Sequence, residues 1–247
     1  MLYDETIMNH GVCIQNAQRN EAMFEKILAA LDGSKKAEMV LPYVEELAGK
    51  FNSFIDLTGV VEKISDTERS HEGKTPHDEL NLYLASITDR VRKEAGDYGL
   101  SDSKRINSKL LSGHIAATIL SYADEAKADL IAMTARGSSS YEKWALGNIA
   151  AKVLRASARP VLLVRRNAPD DYLKEKKLIR KILLPLDGSR LGETAIPYAE
   201  AIAQKTSAEI VLLHVIESIR TVSFYEQLYT DKAMMEDFKS LMHERSY

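Results

Sequence analysis

The sequence predicts an α/β fold with a parallel β-sheet, and three observations support this prediction. Short apolar runs and amphipathic stretches alternate up to residue 166, which is typical of strands joined by crossover helices. The run ADLIAMT at residues 128–134 is apolar nearly throughout, as expected for a strand buried on both faces. The pattern then restarts, because residues 24–62 align without a gap to residues 179–217. The chain therefore carries two copies of one unit.

The first copy opens with a strand over residues 25–31, which ends at the turn residues Asp32, Gly33 and Ser34. Apolar residues at helical spacing follow over 35–50, and Ser34 is the expected N-cap of this helix. The later predicted elements are strand 53–61, helix 78–98, strand 105–111, helix 114–127, strand 128–134, helix 148–157 and strand 160–164. A polar, irregular segment over 62–77 separates the second strand from the long helix.

The repeat sets the expected domain organisation. Residues 1–22 lack periodicity and are expected to be a loose extension or the product of an upstream start, and 23–166 form the first domain. A charged linker over 167–178 leads to a partial second domain, 179–247. This second domain is predicted to contain a strand, helix 190–205, strand 208–216 and a helix-like stretch over 225–243. Two strands stand where the first copy has five, so the chain reads as a natural short form or a shortened tandem protein.

Composition narrows the class of protein. The net charge of -3 gives no electrostatic reason to expect binding to nucleic acid. No apolar run approaches the roughly 20 residues that span a bilayer. Cys13 is the single cysteine and cannot form an intramolecular disulfide, which favours a reducing cytoplasm.

A candidate ligand site follows the fourth strand, because ligands of open parallel sheets bind at the carboxyl ends of the strands. Gly137 allows a sharp turn out of the strand, and Ser138 offers a hydroxyl and an amide. Gly147 and Asn148 open the next helix, whose first N–H groups form an anion site. Asp32, at the tip of the first strand, lies where it could bind ribose hydroxyls or simply accept hydrogen bonds in its own turn.

Four segments carry a family resemblance: KILAALDGS, GHIAATIL at 113–120, ADLIAMTARG at 128–137 and LRASARPVLLVRR at 154–166. With the glycines 137 and 147, they resemble the universal stress protein family across residues 24–166, and residues 179–217 resemble the start of a second such domain. Many members bind ATP through a Gly-x2-Gly-x9-Gly-(Ser/Thr) pattern. Here Gly137 and Gly147 match its second and third glycines, Thr134 replaces the first, and Asn148 replaces the hydroxyl residue.

The resemblance implies roles for individual residues. Asp32 and the backbone of Val60 and Met133 would contact adenosine, next to Thr134. Ser138, Asn148 and Ile149 would lie at the phosphates, which would also carry the Mg²⁺ ion. The second copy keeps Asp187 and Val215 but has no glycine loop, so no ATP is expected there.

We therefore predict a five-stranded parallel sheet of order 3-2-1-4-5 with helices on both faces, a Rossmann-like fold of the adenine nucleotide alpha-hydrolase type. The predicted function is that of a cytoplasmic stress-response sensor or regulator that binds ATP and Mg²⁺ at its first domain and forms a homodimer. The alternative is an interaction module of the same fold that binds no nucleotide. No general base or positioned nucleophile is evident in the loop, so at most weak ATP hydrolysis is expected.

Overall fold

The computed structural model describes residues 23–62, 75–136, 146–165 and 168–215. They belong to two compact units, one reaching Ile179 and the other starting at Arg180. The predicted extension 1–22, most of the irregular segment and the predicted helix-like stretch 225–243 lie outside the described residues. The exact domain and linker bounds remain a prediction.

The first unit is built on one five-stranded parallel sheet, as predicted. Its strands are β1 (Lys26–Ala30), β2 (Phe54–Val61), β3 (Ile106–Ser112), β4 (Leu130–Thr134) and β5 (Val161–Val164). Their order is β3-β2-β1-β4-β5, and every neighbouring pair is parallel. The prediction of order 3-2-1-4-5 is confirmed.

Helices cover both faces of this sheet. They are α1 (Leu41–Phe51), α2 (Pro76–Glu94), α3 (Ile115–Glu125) and α4 (Asn148–Ala156). The first two crossovers add strands on one side of β1, and the next two add strands on the other side. Because each crossover is right-handed, α1 and α2 lie on one face of the sheet and α3 and α4 lie on the other. On the second face, Leu28 and Ile131 of the strands pack with Ile119 of α3 and Val153 of α4.

The first helix begins differently from the expected helix over 35–50. A 3-10 turn at Ala37–Val40 precedes α1, and its side-chain contact is the Ser34 hydroxyl, which accepts the Ala37 N–H at 3.2 Å. Ser34 therefore supports this turn, and the expectation that it is the N-cap of one continuous helix is wrong. Pro42 explains the break: it has no N–H to donate to the carbonyl four residues earlier, but it is well tolerated in the first turn of α1.

The segment before the second unit contains a short helix, α5 (Asp170–Glu175). Its Tyr172 and Leu173 pack against Tyr98, Ala168 and Leu178. The Glu46 carboxylate, from α1, accepts the N–H groups of Leu178 and Ile179 at 3.0 and 3.1 Å. Although charged in sequence, this segment is thus held against the first unit, and we call residues 168–179 the strap.

The described part of the second unit contains β6 (Lys181–Leu186), α6 (Arg190–Glu193), α7 (Ile196–Thr206) and β7 (Glu209–His214). The two strands are parallel neighbours, and they match β1 and β2 of the first unit. Pro197 again separates a short helical turn from the main helix. The local sequence therefore produces the same strand–helix–strand unit twice. Across the described residues, no helix is long and apolar enough to cross a membrane.

Candidate functional site

The site predicted from the sequence lies where the strand order reverses. β1 and β4 are neighbours, but the crossovers that leave them run in opposite directions, which opens a crevice at their carboxyl ends. Ala29 of β1 pairs with Ala132 of β4. Three residues later, β1 leads to Asp32 and β4 leads to Ala135. The tip of the first strand and the start of the glycine loop are therefore brought together.

Asp32 shapes the turn at the end of β1. Its Oδ1 accepts the Ser34 N–H at 3.0 Å and the Ser34 hydroxyl at 2.6 Å. Between them Gly33 has a φ of +82°, a left-handed conformation that glycine adopts without strain. The carboxylate is exposed on the carboxyl side of the sheet. The structure thus shows the turn role of Asp32, while its role as a ligand to ribose remains a prediction.

The second unit repeats this turn. Asp187 Oδ1 accepts the Ser189 N–H at 2.9 Å, and Gly188 has a φ of +76°. Hydrogen bonds from the Ser189 side chain and backbone lower the pKa of the Asp187 carboxyl. The sequence of the second copy contains no glycine loop, so this Asp-Gly-Ser turn forms without one.

The end of β4 is buried. Met133 and Thr134 are both largely shielded from solvent, and the Thr134 hydroxyl donates to the Arg136 carbonyl at 2.9 Å. The threonine at the first glycine position is therefore satisfied by its own turn and does not extend into open solvent. The Ala135 N–H donates to the Val164 carbonyl at 2.8 Å, and this hydrogen bond joins the turn to the neighbouring strand β5.

The start of α4 is anchored to the same turn. The Gly147 N–H donates to the Ala135 carbonyl at 2.9 Å, closing the base of the intervening loop. Gly147 is the N-cap and supplies no side-chain cap, and no acidic residue occupies the first turn. Asn148 and Ile149 therefore present N–H groups that have no acceptor within the helix, at its positive end. Gly137 and Ser138, also predicted site residues, lie outside the described residues.

An apolar wall adjoins this helix end. Met133 belongs to the cluster under α3 and α4, and Val60 and Ile149 pack against it. Three predicted site residues from β2, β4 and α4 thus border one cluster. Ile115 and Leu146 border it too, and sequence reasoning missed both. Their positions in the sequence could have indicated them, because each lies within two residues of a glycine at the end of a strand or the start of a helix, Gly113 or Gly147.

The described residues offer no protein-only metal centre. No group of three or more histidine, cysteine, aspartate or glutamate side chains is arranged among them to hold a metal ion.

The model of the "Universal stress protein family" matches residues 23–165 and, again, 178–240. The chain is 32% identical over 143 residues to a universal stress protein of Thermus aquaticus, covering 58% of this chain and 100% of the relative. It is 26% identical over 151 residues to the universal stress protein MJ0531 of Methanocaldococcus jannaschii, covering 60% and 86%.

Solved structures share the fold. A universal stress protein of Archaeoglobus fulgidus is similar over 83% of this chain and 72% of its own, with 22% identity and a TM-score of 0.59. A putative universal stress protein from Pseudomonas aeruginosa also has a TM-score of 0.59, with 17% identity, over 93% of this chain and 72% of its own. With two matches to the family model and the sheet order established, the chain belongs to the universal stress protein family.

Proposed function

We propose that the first unit binds ATP, with Mg²⁺ on its phosphates, and that the protein acts as a cytoplasmic regulator of the stress response. One observation carries the proposal: the amino end of α4, whose N-cap Gly147 supplies no side-chain cap, is fastened by Gly147 to the turn after β4, in the crevice beside Asp32. This arrangement offers an anion site and a hydrogen-bond acceptor at the same edge of the sheet.

The proposed phosphate site uses the backbone. A helix end with free N–H groups and no acidic residue in its first turn attracts anions through its dipole and its donors. Gly147 places no side chain at the start of the helix, and Asn148 and Ile149 supply the first amides. Ser138 and Gly137 would complete the contact from the loop.

The proposed nucleoside site uses the apolar wall and the first turn. Adenine is flat, and its ring faces suit an apolar surface such as the one bordered by Val60, Met133 and Ile149. The Asp32 carboxylate would accept hydrogen bonds from ribose hydroxyls, next to the turn that holds Thr134. The residues present therefore fit an adenine nucleotide.

These residues favour binding over turnover. Two described groups at this edge are Asp32, which accepts hydrogen bonds from Ser34, and Thr134, whose hydroxyl donates to the Arg136 carbonyl. Neither is arranged as a base beside an attacking water. At most slow hydrolysis is proposed, which suits a protein that senses nucleotide or changes partners when it binds.

The alternative is an interaction module that binds no nucleotide. It is favoured by Thr134, which occupies the position of the first motif glycine with a side chain directed into its own turn. On this alternative the chain would act through self-association, and its loop would be a structural remnant.

Calorimetric titration of ATP and Mg²⁺ into the full chain, after bound nucleotide is stripped, decides between the two. We expect one site per chain, lost in Gly147→Val. Gly147 has φ −63° and ψ 149°, which valine adopts readily, so the variant should fold while placing a branched side chain at the start of α4. No heat of binding from a well-folded wild-type protein would overturn the ATP proposal and leave the interaction module.

A further inference from the structure

The two-stranded sheet of the second unit has two unequal faces. Paired residues of parallel strands point to the same side, so Lys181, Leu183 and Pro185 share one face with residues 209, 211 and 213. The opposite face carries Leu184, which is buried, and Leu212, which is exposed near the end of β7. It is the face on which a right-handed crossover places α7. We call the face that carries Leu183 the bare face.

The first unit shows what normally covers the bare face. Leu183 corresponds to Leu28, which is 0% exposed beneath α3 and α4, whereas Leu183 is 58% exposed. No counterpart of α3 or α4 occurs in the described part of the second unit, residues 180–215. Leu213 is 40% exposed beside Pro185, and Val215, just beyond β7, is exposed as well. These adjacent apolar side chains form a patch, which in water favours association.

The edge of β6 that faces away from β7 is unpaired within the described residues, and its polar groups argue against strand addition as the way to cover this patch. The Arg180 carbonyl accepts the Glu209 N–H, so the polar groups of even-numbered residues point to β7. The backbone polar groups of Lys181, Leu183 and Pro185 therefore point away from β7, towards the outer edge of β6. Pro185 has no N–H, and a proline at this edge interrupts the row of donors that an added strand would need. A partner is therefore expected on the face and not along the edge.

The charges of the bare face are complementary to those of the same face on a second copy. Lys181 and Glu209 lie side by side at one end, with Nζ and the carboxylate 3.0 Å apart. Consider a second copy turned by 180° about an axis that is parallel to the strands. This axis lies above the bare face, midway between β6 and β7. Lys181 then faces Glu209 of the second copy, Leu183 faces Val211, and Pro185 faces Leu213. Opposite charges meet opposite charges, and apolar side chains meet apolar ones.

We propose that the bare face of the second unit docks on the same face of a second copy of this chain. The contact is isologous and packs two sheets face to face, about 10 Å apart. It does not depend on nucleotide binding by the first unit. Because only a few side chains form it, its area falls below the roughly 800 Å² per partner of standard interfaces, so the dimer is reversible.

Sedimentation velocity of the full chain over a concentration series tests the proposal. Lys181→Glu and Glu209→Lys should each weaken self-association by about tenfold, because each places like charges together across the axis. The double variant should restore association, since it exchanges the charges and keeps them complementary. Both side chains are well exposed, and thermal melting of each variant shows whether the internal ion pair matters to folding.

A second pair of variants separates this face from general stickiness. Leu183→Gln should weaken self-association, whereas Leu191→Gln should not, since Leu191 is 80% exposed but lies on α6, away from the bare face. If the first unit also self-associates, the proposed contact appears as a further step of assembly. A wild-type chain that stays monomeric throughout, or an assembly profile that is unchanged in Leu183→Gln and both charge reversals, would overturn the proposal.

Discussion

Asp32 and Ser34 are joined by two hydrogen bonds, from the Ser34 N–H and from its hydroxyl, both to Oδ1 of the aspartate. Asp187 and Ser189 repeat the backbone bond in the second unit. The two turns can therefore be compared directly, because within the described residues only the first lies beside the end of a helix like α4.

Asp32→Ala and Asp187→Ala should differ in nucleotide binding but not in their effect on folding. Each removes the hydrogen bond from the serine N–H two residues later, so both should lower the melting temperature slightly and to a similar extent. Only Asp32→Ala should weaken ATP binding, by about tenfold, through the lost ribose contact. Calorimetric titration with thermal melting measures both quantities. Equal ATP affinity in the two variants would remove Asp32 from the proposed site.

Leu28→Ala and Leu183→Ala should differ in stability. Leu28 is fully buried, so its truncation should cost about 2–5 kcal/mol through lost burial and a cavity. Leu183 is mostly exposed in a single chain, and its truncation should change stability by about 0.5 kcal/mol or less. Urea denaturation at low protein concentration, where the proposed dimer is dissociated, provides the comparison. A large loss for Leu183→Ala at that dilution would contradict the exposure of the bare face.

Glu45 should make the first unit less stable as the pH rises. Burial, and then the nearby charge of Glu94, raise the pKa of Glu45 to about 8. Its protonated form is favoured in the folded state, so its stabilising effect is complete below the ordinary pKa near 4.5 and is lost as the pH rises through about 8. Glu45→Gln should therefore melt higher than wild type at alkaline pH, with the difference shrinking towards pH 4.5.

The repeat offers a control for this pH effect. Glu200 occupies the matching position in the second unit and is exposed. Glu200→Gln should leave the pH dependence of melting unchanged, as followed by scanning fluorimetry across the pH range. A melting curve for Glu45→Gln that is parallel to wild type at every pH would show that Glu45 ionises normally.

Glu46 should hold the strap in place. Its side chain is fully buried, and its Oε2 accepts two backbone N–H groups of the strap. Hydrogen bonds to a charged group contribute about 1.5–3 kcal/mol, but burying Oε1 without a partner offsets part of that gain. Glu46→Ala should therefore speed amide hydrogen exchange at Leu178 and Ile179, measured by mass spectrometry. Unchanged exchange there would show that apolar packing alone fixes the strap.

Much of the fold was predictable because local patterns and the tertiary structure agree. The alternation of apolar runs and amphipathic helices predicted the parallel sheet, and the repeat predicted β6, α7 and β7. Pro42 was visible in the sequence, but its effect depends on where the helix begins, so one helix was expected where a 3-10 turn precedes α1. The strap was interpreted as a linker because its charges mask the packing of Tyr172 and Leu173.

The site was predictable in part for a related reason. Gly147 and Asn148 were placed at a helix start by a local signal, and the structure puts them there. The hydrogen bond that joins Gly147 to Ala135 could not be predicted, because it depends on where the loop returns. The packing of Ile115 and Leu146 against the cluster that contains Met133 likewise depends on helices that meet the same face of the sheet.

By itself, the sequence determined the α/β class, the repeated strand–helix–strand unit and the residues available at the carboxyl ends of the strands. These are properties of short segments, set by periodicity and turn chemistry. Only the tertiary structure decided that Leu28 is buried while the identical Leu183 is exposed, and that Glu46 binds the strap while its counterpart Ala201 cannot. Burial and long-range hydrogen bonds depend on which elements pack against a residue, and identical local sequences can meet different neighbours.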